Sequence, residues 1–357
     1  MAESYSCQDI QVLRGLEAVR RRPGMYVGDT SDGTGLQHMV EGLVDWAVHE
    51  HEEGFATYAR VTHVGDAVVV DHDGRGLPVE AAPAVERGQP ALTLERAFTG
   101  IHGMFGYGLP VASALSSALE ATSHHDGRVH RQRFARGEPL GPPEDLGATT
   151  RRGMRVRLVP DEAIFGASRL QRVELQRVMR LRAACHPGFT LLHGERAYRS
   201  PEGVADLARY LGRGSRWLHD EPVRLCADVG GIRVDAALLW TDRPTSRAVA
   251  LVGDRRCPMG SHVTGLVRGI QDGFGLAQPR LRTVYPAAFR EVMFPGLVWT
   301  LRVHMEAPRT KGQLRERLDE PDAGRLVRTL VSRGLASALA SDDVLREALL
   351  ARLPSAA

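Results

Sequence analysis

Three short stretches and one lone side chain hold the residue types and spacings that could do chemistry. Asp71-His72-Asp73-Gly74-Arg75-Gly76-Leu77-Pro78 is a glycine-rich turn closing an apolar strand pattern. His102-Gly103-Met104-Phe105-Gly106-Tyr107-Gly108 sets a GxxGxG spacing directly before a helical pattern. Glycines let a backbone approach a ligand, and exposed N–H groups favour anions, so such a stretch can cradle phosphate. Alone the signal is weak, because the same glycines also make tight turns. No strand precedes them, so the dinucleotide-binding fingerprint is not met. Thr34–His51 carries Gly42 and Trp46 on one edge, with His38, Asp45 and His49 beside them. A glycine costs about 1 kcal/mol in a helix interior relative to alanine. Long side chains lean back over the preceding turn, so Gly42 is expected to make room for the Trp46 indole. Last is Lys311, the only lysine in a chain otherwise supplied with arginine.

Amphipathic and strand patterns position these residues. Leu36, Met39, Val40, Leu43, Val44, Ala47 and Val48 give the helical rhythm of one buried stripe. Thr34 is expected to cap that helix, with Gln37 at the capping-box position. A shorter helix is expected over 11–22, stopping at Pro23-Gly24. Residues 56–71 read as two strands joined at Gly65-Asp66, leading into the glycine-rich turn. Helices are expected over 91–99 and 109–119, strands over 129–135 and 154–159, and an arginine-rich helix over 168–184. A composition shift at Asp220-Glu221-Pro222 suggests a domain boundary, giving domains 1–219 and 220–357. Strands follow at 223–228, 231–240, 247–252 and 297–305. A helix is expected near 262–273, and a terminal one from 322 to 353, broken near Ser341.

Composition sets outer limits. The 357 residues suffice for two domains, each with its own core. A net charge of +3 is too small to argue for nucleic-acid binding. No apolar run is long enough to span a bilayer, and the amino terminus lacks a signal-peptide core. A cytoplasmic protein is therefore expected. Cys7, Cys185, Cys226 and Cys257 show no CxxC spacing, so no metal site is indicated.

The string LRGLEAVRRRPGMYVGDTSDGTGLQHMV resembles the start of the ATPase region of DNA gyrase B and its topoisomerase IV counterpart, members of the GHKL superfamily. The resemblance follows the family order over essentially the whole chain and is more specific in the first forty residues or so. It implies an α+β fold: a GHKL (Bergerat-type) α/β sandwich followed by a smaller transducer domain of ribosomal-S5-like type. The family's chain continues into a DNA-cleavage domain. Here the chain ends at Ala357, so it is expected not to cut and reseal DNA alone.

Carried over residue by residue, the resemblance changes the chemistry. The family's central helix presents a water-activating glutamate and, four residues later, a magnesium-binding asparagine. The matching positions are Gly42 and Trp46. Glycine offers no base, and an indole is a donor only, unable to ligate magnesium through oxygen. Glu41 lies one helical step away, rotated off the reacting face. The aspartate that recognises the adenine amino group matches His72, and a threonine near the adenine matches Met154. The lid before Gly103 is shortened, and Phe105 stands where the family has a histidine. Other pocket positions are kept: Asp45, the Arg75–Glu50 pair, Gly74, Gly76, Pro78, Arg131, and the phosphate-loop glycines Gly103, Gly106 and Gly108. Lys311 falls on the transducer lysine that reaches the γ-phosphate. Tyr5 and Ile10 match the arm that crosses to a partner subunit.

With no intact catalytic residue and no metal ligand, the expectation is a pseudo-ATPase that dimerises with itself or with a gyrase-type subunit. DNA contact would be indirect, and no membrane is involved. ATP and magnesium are cofactors only under the alternative, a working ATP-hydrolysing topoisomerase subunit fragment with Glu41 or Asp45 as base and His72 at the adenine.

Overall fold

The structure is a computed structural model that describes residues 16–80, 92–100, 108–277, 286–312 and 315–352. It divides into two compact units, residues 1–180 with 188–199, and residues 181–187 with 200–357. The division thus falls near residue 200, and not at the expected 219–220. The reason is α8 (Val204–Leu211), whose Ala205 and Ala208 pack against Ala237, Leu239 and Val298 of the second unit.

In the first unit, α1 (Glu17–Arg21) and α2 (Gly24–Val27) lead into α3 (Thr34–Glu52). All seven residues of the expected apolar stripe of α3 are buried. The expected capping box is absent. Gly33, with φ of +89°, holds the N-cap position without a side-chain bond. Asp32 instead accepts the Thr34 N–H at 2.8 Å, and Gln37 donates to Glu41 at 3.0 Å. The hairpin of β1 (Tyr58–Val64) and β2 (Ala67–His72) turns at Gly65-Asp66 as expected, with Val64 paired to Ala67.

α4 (Leu94–Thr99) and α5 (Gly108–Ala114) come next. The helix expected through Leu119 stops at Ala114, and β3 (Ser116–His125) begins two residues later. From there Leu119, Ala121 and Ser123 are buried at every second position, the period of a strand. The sheet is completed by β4 (Arg128–Ala135), β5 (Glu138–Pro139), β6 (Glu144–Ala148), β7 (Gly153–Pro160), β8 (Thr190–His193) and β9 (Arg196–Tyr198). Its order is β5-β4-β3-β7-β2-β1-β8-β9, with β6 also pairing β4. β2 lies beside β7, with His72 opposite Met154. α6 (Glu162–Phe165) and α7 (Arg172–Cys185) follow β7.

The second unit holds a five-stranded sheet in the order β10-β11-β15-β12-β13. Its strands are β10 (Val223–Val229), β11 (Ile232–Trp240), β12 (Arg247–Val252), β13 (Arg255–Arg256) and β15 (Leu297–His304). A small sheet of β14 (Met259–Gly260), β17 (Arg317–Leu318) and β16 (Thr310–Lys311) stands apart. Two long helices, α9 (Ser261–Ala277) and α11 (Pro321–Ser341), share one core with the five-stranded sheet through Leu266, Ile270, Val327 and Val331. α10 (Pro286–Met293) was not legible in the sequence, whereas the expected break near Ser341 separates α11 from α12 (Asp343–Leu350). Asp342 makes that break by accepting the Leu345 N–H at 2.9 Å.

Candidate functional site

The carboxy-terminal half of α3 faces the turn after β2, and the two meet through Glu50. Its buried carboxylate accepts the Arg75 backbone N–H and the Arg75 guanidinium, each at 2.8 Å. Burial works to raise the Glu50 pKa, but the hydrogen bonds and charge of Arg75 outweigh it and hold the group below its ordinary value. Arg75 also lies over the Phe55 ring at 4.0 Å. A side chain at Gly74 would meet Glu50 Oε2 at 2.7 Å, and Gly76 has φ of +75°, with the His124 carbonyl 2.5 Å from where its Cβ would sit. Gly76 therefore demands glycine, while a side chain at Gly74 would have to displace the Glu50 carboxylate and the His72 ring. Asp73, part of the same turn but given no role from the sequence, accepts the Thr57 and Tyr58 N–H groups at 2.8 and 3.0 Å and ties the end of β2 to the start of β1.

Three of the positions that depart from the family pattern, Trp46, His72 and Met154, come together in this setting. The Trp46 indole is only 6% exposed. It stands almost perpendicular to the His72 ring, at 82°, with centroids 4.9 Å apart. His72 and Met154 are both buried, side by side across the β2–β7 pair. His72 Nδ1 accepts the Gly74 N–H at 3.1 Å. Burial pushes its pKa down to about 4, so the ring is neutral at pH 7. His72 and Met154 also border a cavity of about 260 Å³ with Tyr58, His124, Arg151 and Arg155. None of these four was expected at the site from the sequence, since they come from separate strands and loops that only the fold brings together.

Gly42 answers to a different neighbour from the one expected. A Cβ there would lie 2.8 Å from Gly108 Cα, and one on Gly108 would lie 2.8 Å from the Gly42 carbonyl oxygen. α3 and α5 thus cross backbone to backbone at this glycine pair, and room for the indole is not the reason for Gly42. Of the two carboxylates nearest in sequence, Asp45 is exposed and Glu41 accepts from Gln37 Nε2 at 3.0 Å.

The remaining described positions each have local partners of their own. The Pro78 carbonyl accepts the Leu94 N–H at 2.8 Å. Arg131 pairs with Glu144 at 2.7 Å on the outer strands. Lys311, in the second unit, pairs with Asp319 at 2.7 Å. Tyr5, Ile10, Gly103, Phe105 and Gly106 lie outside the described residues.

These groups do not fit magnesium-bound ATP. The side chain at 46 has an indole N–H where an oxygen ligand is needed. The backbone contact at Gly42 leaves no space for a carboxylate, and position 72 presents a neutral imidazole. No group of three or more His, Cys, Asp or Glu side chains able to hold a metal ion occurs among the described residues. No helix among them is long and apolar enough to cross a membrane.

The central helix laid against a mixed sheet, with the glycine-rich turn at its far end, defines the α/β sandwich of a GHKL-type ATPase region. The 43K ATPase domain of Thermus thermophilus gyrase B, solved with an aminocoumarin, superposes at a TM-score of 0.79 with 27% identity, covering 94% of each chain. The gyrase B protein of Myxococcus xanthus does so at 0.79 with 26% identity, covering 95% of this chain and 99% of that one. In sequence, Thermotoga maritima DNA gyrase B is 30% identical over 385 residues, covering 99% of this chain and 60% of that protein. The type 2 topoisomerase B protein of Aquifex aeolicus is 29% identical, covering 92% and 44%. Over nearly its whole length the chain is thus similar, in sequence and in fold, to the ATPase regions of DNA gyrase B and its type 2 topoisomerase counterparts. It spans 60% or less of the length of these two relatives. No family model matches it.

Proposed function

We propose that the chain is a gyrase-B-like pseudo-ATPase. It keeps the fold of the ATPase region, has lost ATP hydrolysis, and acts as a dimerising or regulatory partner, either with a second copy or with a gyrase-type subunit. The observation that carries this reading is the buried Trp46 indole against His72, one turn beyond the Gly42–Gly108 crossing.

Hydrolysis needs a base to take a proton from water, worth about 10²–10⁴-fold. It also needs charge stabilisation of the transferring phosphoryl group, which a metal ion supplies. Gly42 offers no base, and Trp46 displaces the metal ligand while occupying part of the nucleotide pocket. The kept Glu50–Arg75 pair and the glycines around it then serve the fold of the turn. The second unit is read as the transducer-type partner of this domain, with Lys311 held by Asp319 in its small sheet.

Calorimetric titration with a non-hydrolysable ATP analogue tests the reading. Binding should be weak and unchanged when magnesium is added. Binding that strengthens tenfold or more with magnesium would show an intact metal site and overturn it.

A further inference from the structure

The Nδ1 nitrogen of His72 accepts the Gly74 N–H. A ring nitrogen that accepts carries no proton, so in the neutral imidazole the proton sits on Nε2. Nε2 is therefore a donor. It is buried and meets no acceptor among the described residues. A buried donor left in this state is costly, and the near-perpendicular indole offers it an N–H···π contact at most. The Trp46 ring packs against the His72 ring, and Met154 stands opposite His72 on β7 and borders the same cavity. An aromatic ring and a thioether are surfaces that suit a flat heterocycle.

We propose that His72 makes this end of the cleft a hydrogen-bond donor site, selective for a flat heterocycle that presents a ring carbonyl, of guanine or hypoxanthine type, over one that presents an amino group, as adenine does. Towards an amino group the Nε2–H sets donor against donor. Towards a carbonyl oxygen it gains the acceptor it lacks. The inference rests on the reading of this cleft as a nucleotide site closed by Trp46, since the ring enters where the indole lies. An aspartate at position 72 would turn the donor back into an acceptor and reverse the preference.

The test is calorimetric titration of the full chain with guanosine, inosine and adenosine. Trp46→Ala opens the place now filled by the indole. In that variant guanosine and inosine should bind at least about tenfold more tightly than adenosine. Adding His72→Asp to it should invert the order. Equal affinities, an order unmoved by His72→Asp, or no nucleoside bound at millimolar concentration would overturn the proposal. Should Trp46→Ala not fold, the same titrations are made with Trp46→Asn, alone and with His72→Asp. Guanosine and inosine should again be preferred in the first and adenosine in the second, and any other pattern counts against it. Nucleosides carry no phosphate, so these outcomes are separate from ATP turnover, on which the proposed function stands or falls.

Discussion

His72 is buried as a neutral imidazole, and that has a consequence for stability. Its pKa falls from 6.5 to about 4 on folding. Between those values the unfolded chain binds a proton that the folded chain refuses, so stability declines as pH is lowered through this window. The full shift corresponds to about 3 kcal/mol. His262, held near 4 in the second unit, contributes in the same direction. A His72→Asn variant should therefore lose only part of the acid sensitivity, measured as urea midpoints between pH 6.5 and 4. An unchanged pH dependence would mean that His72 is not buried neutral. Glu50 acts in a lower window. Its depressed pKa gives stability above its ordinary value that is lost as pH falls below about 4.5. The residue types at 42, 46 and 72 were legible in the sequence as departures from a carboxylate-and-amide site. The role of His72 was not. The sequence marks only the change from aspartate to histidine at this position, and only the Gly74 N–H, two residues on, shows that the accepting nitrogen is already used.

At the scale of elements, the crossing of α3 and α5 decides what Gly42 does. Alanine should favour an isolated helix by about 1 kcal/mol, yet a Cβ here strikes backbone, which does not yield as a side-chain tip would. Gly42→Ala should accordingly destabilise the protein by about 1–3 kcal/mol in denaturant unfolding; a stabilised variant would deny the close crossing. For the same reason Gly42→Glu should destabilise the fold and restore no turnover. Periodicity was enough to find the buried stripe of α3, because seven apolar positions repeat along one element. It could not reveal the crossing, because Gly108 is far away in sequence. Nor did it find β3, since the pattern of α5 runs on in composition past Ala114, and pairing with β4 and β7 overrides it. The cap of α3 was misread because Asp32 and Gly33 do locally what Thr34 and Gln37 were expected to do.

At the scale of the molecule, the compact units divide near residue 200, whereas composition pointed to 219–220. The Asp220-Glu221-Pro222 turn is conspicuous in the sequence. The packing of α8 on the second sheet is not, because it depends on alanines that any helix might carry. On the proposed reading, a chain that retains the ATPase-region fold without hydrolysis acts through association. Size-exclusion chromatography with a complete gyrase B protein should give co-elution, or a homodimer of the chain alone; a monomer that co-elutes with nothing would count against the partner role. The most direct measurement is magnesium-dependent ATP turnover by the purified protein. An aromatic side chain in place of the metal ligand, and a glycine in place of the base, predict phosphate release no faster than in a protein-free control. Sustained turnover at the rate of a working gyrase B ATPase would contradict the account.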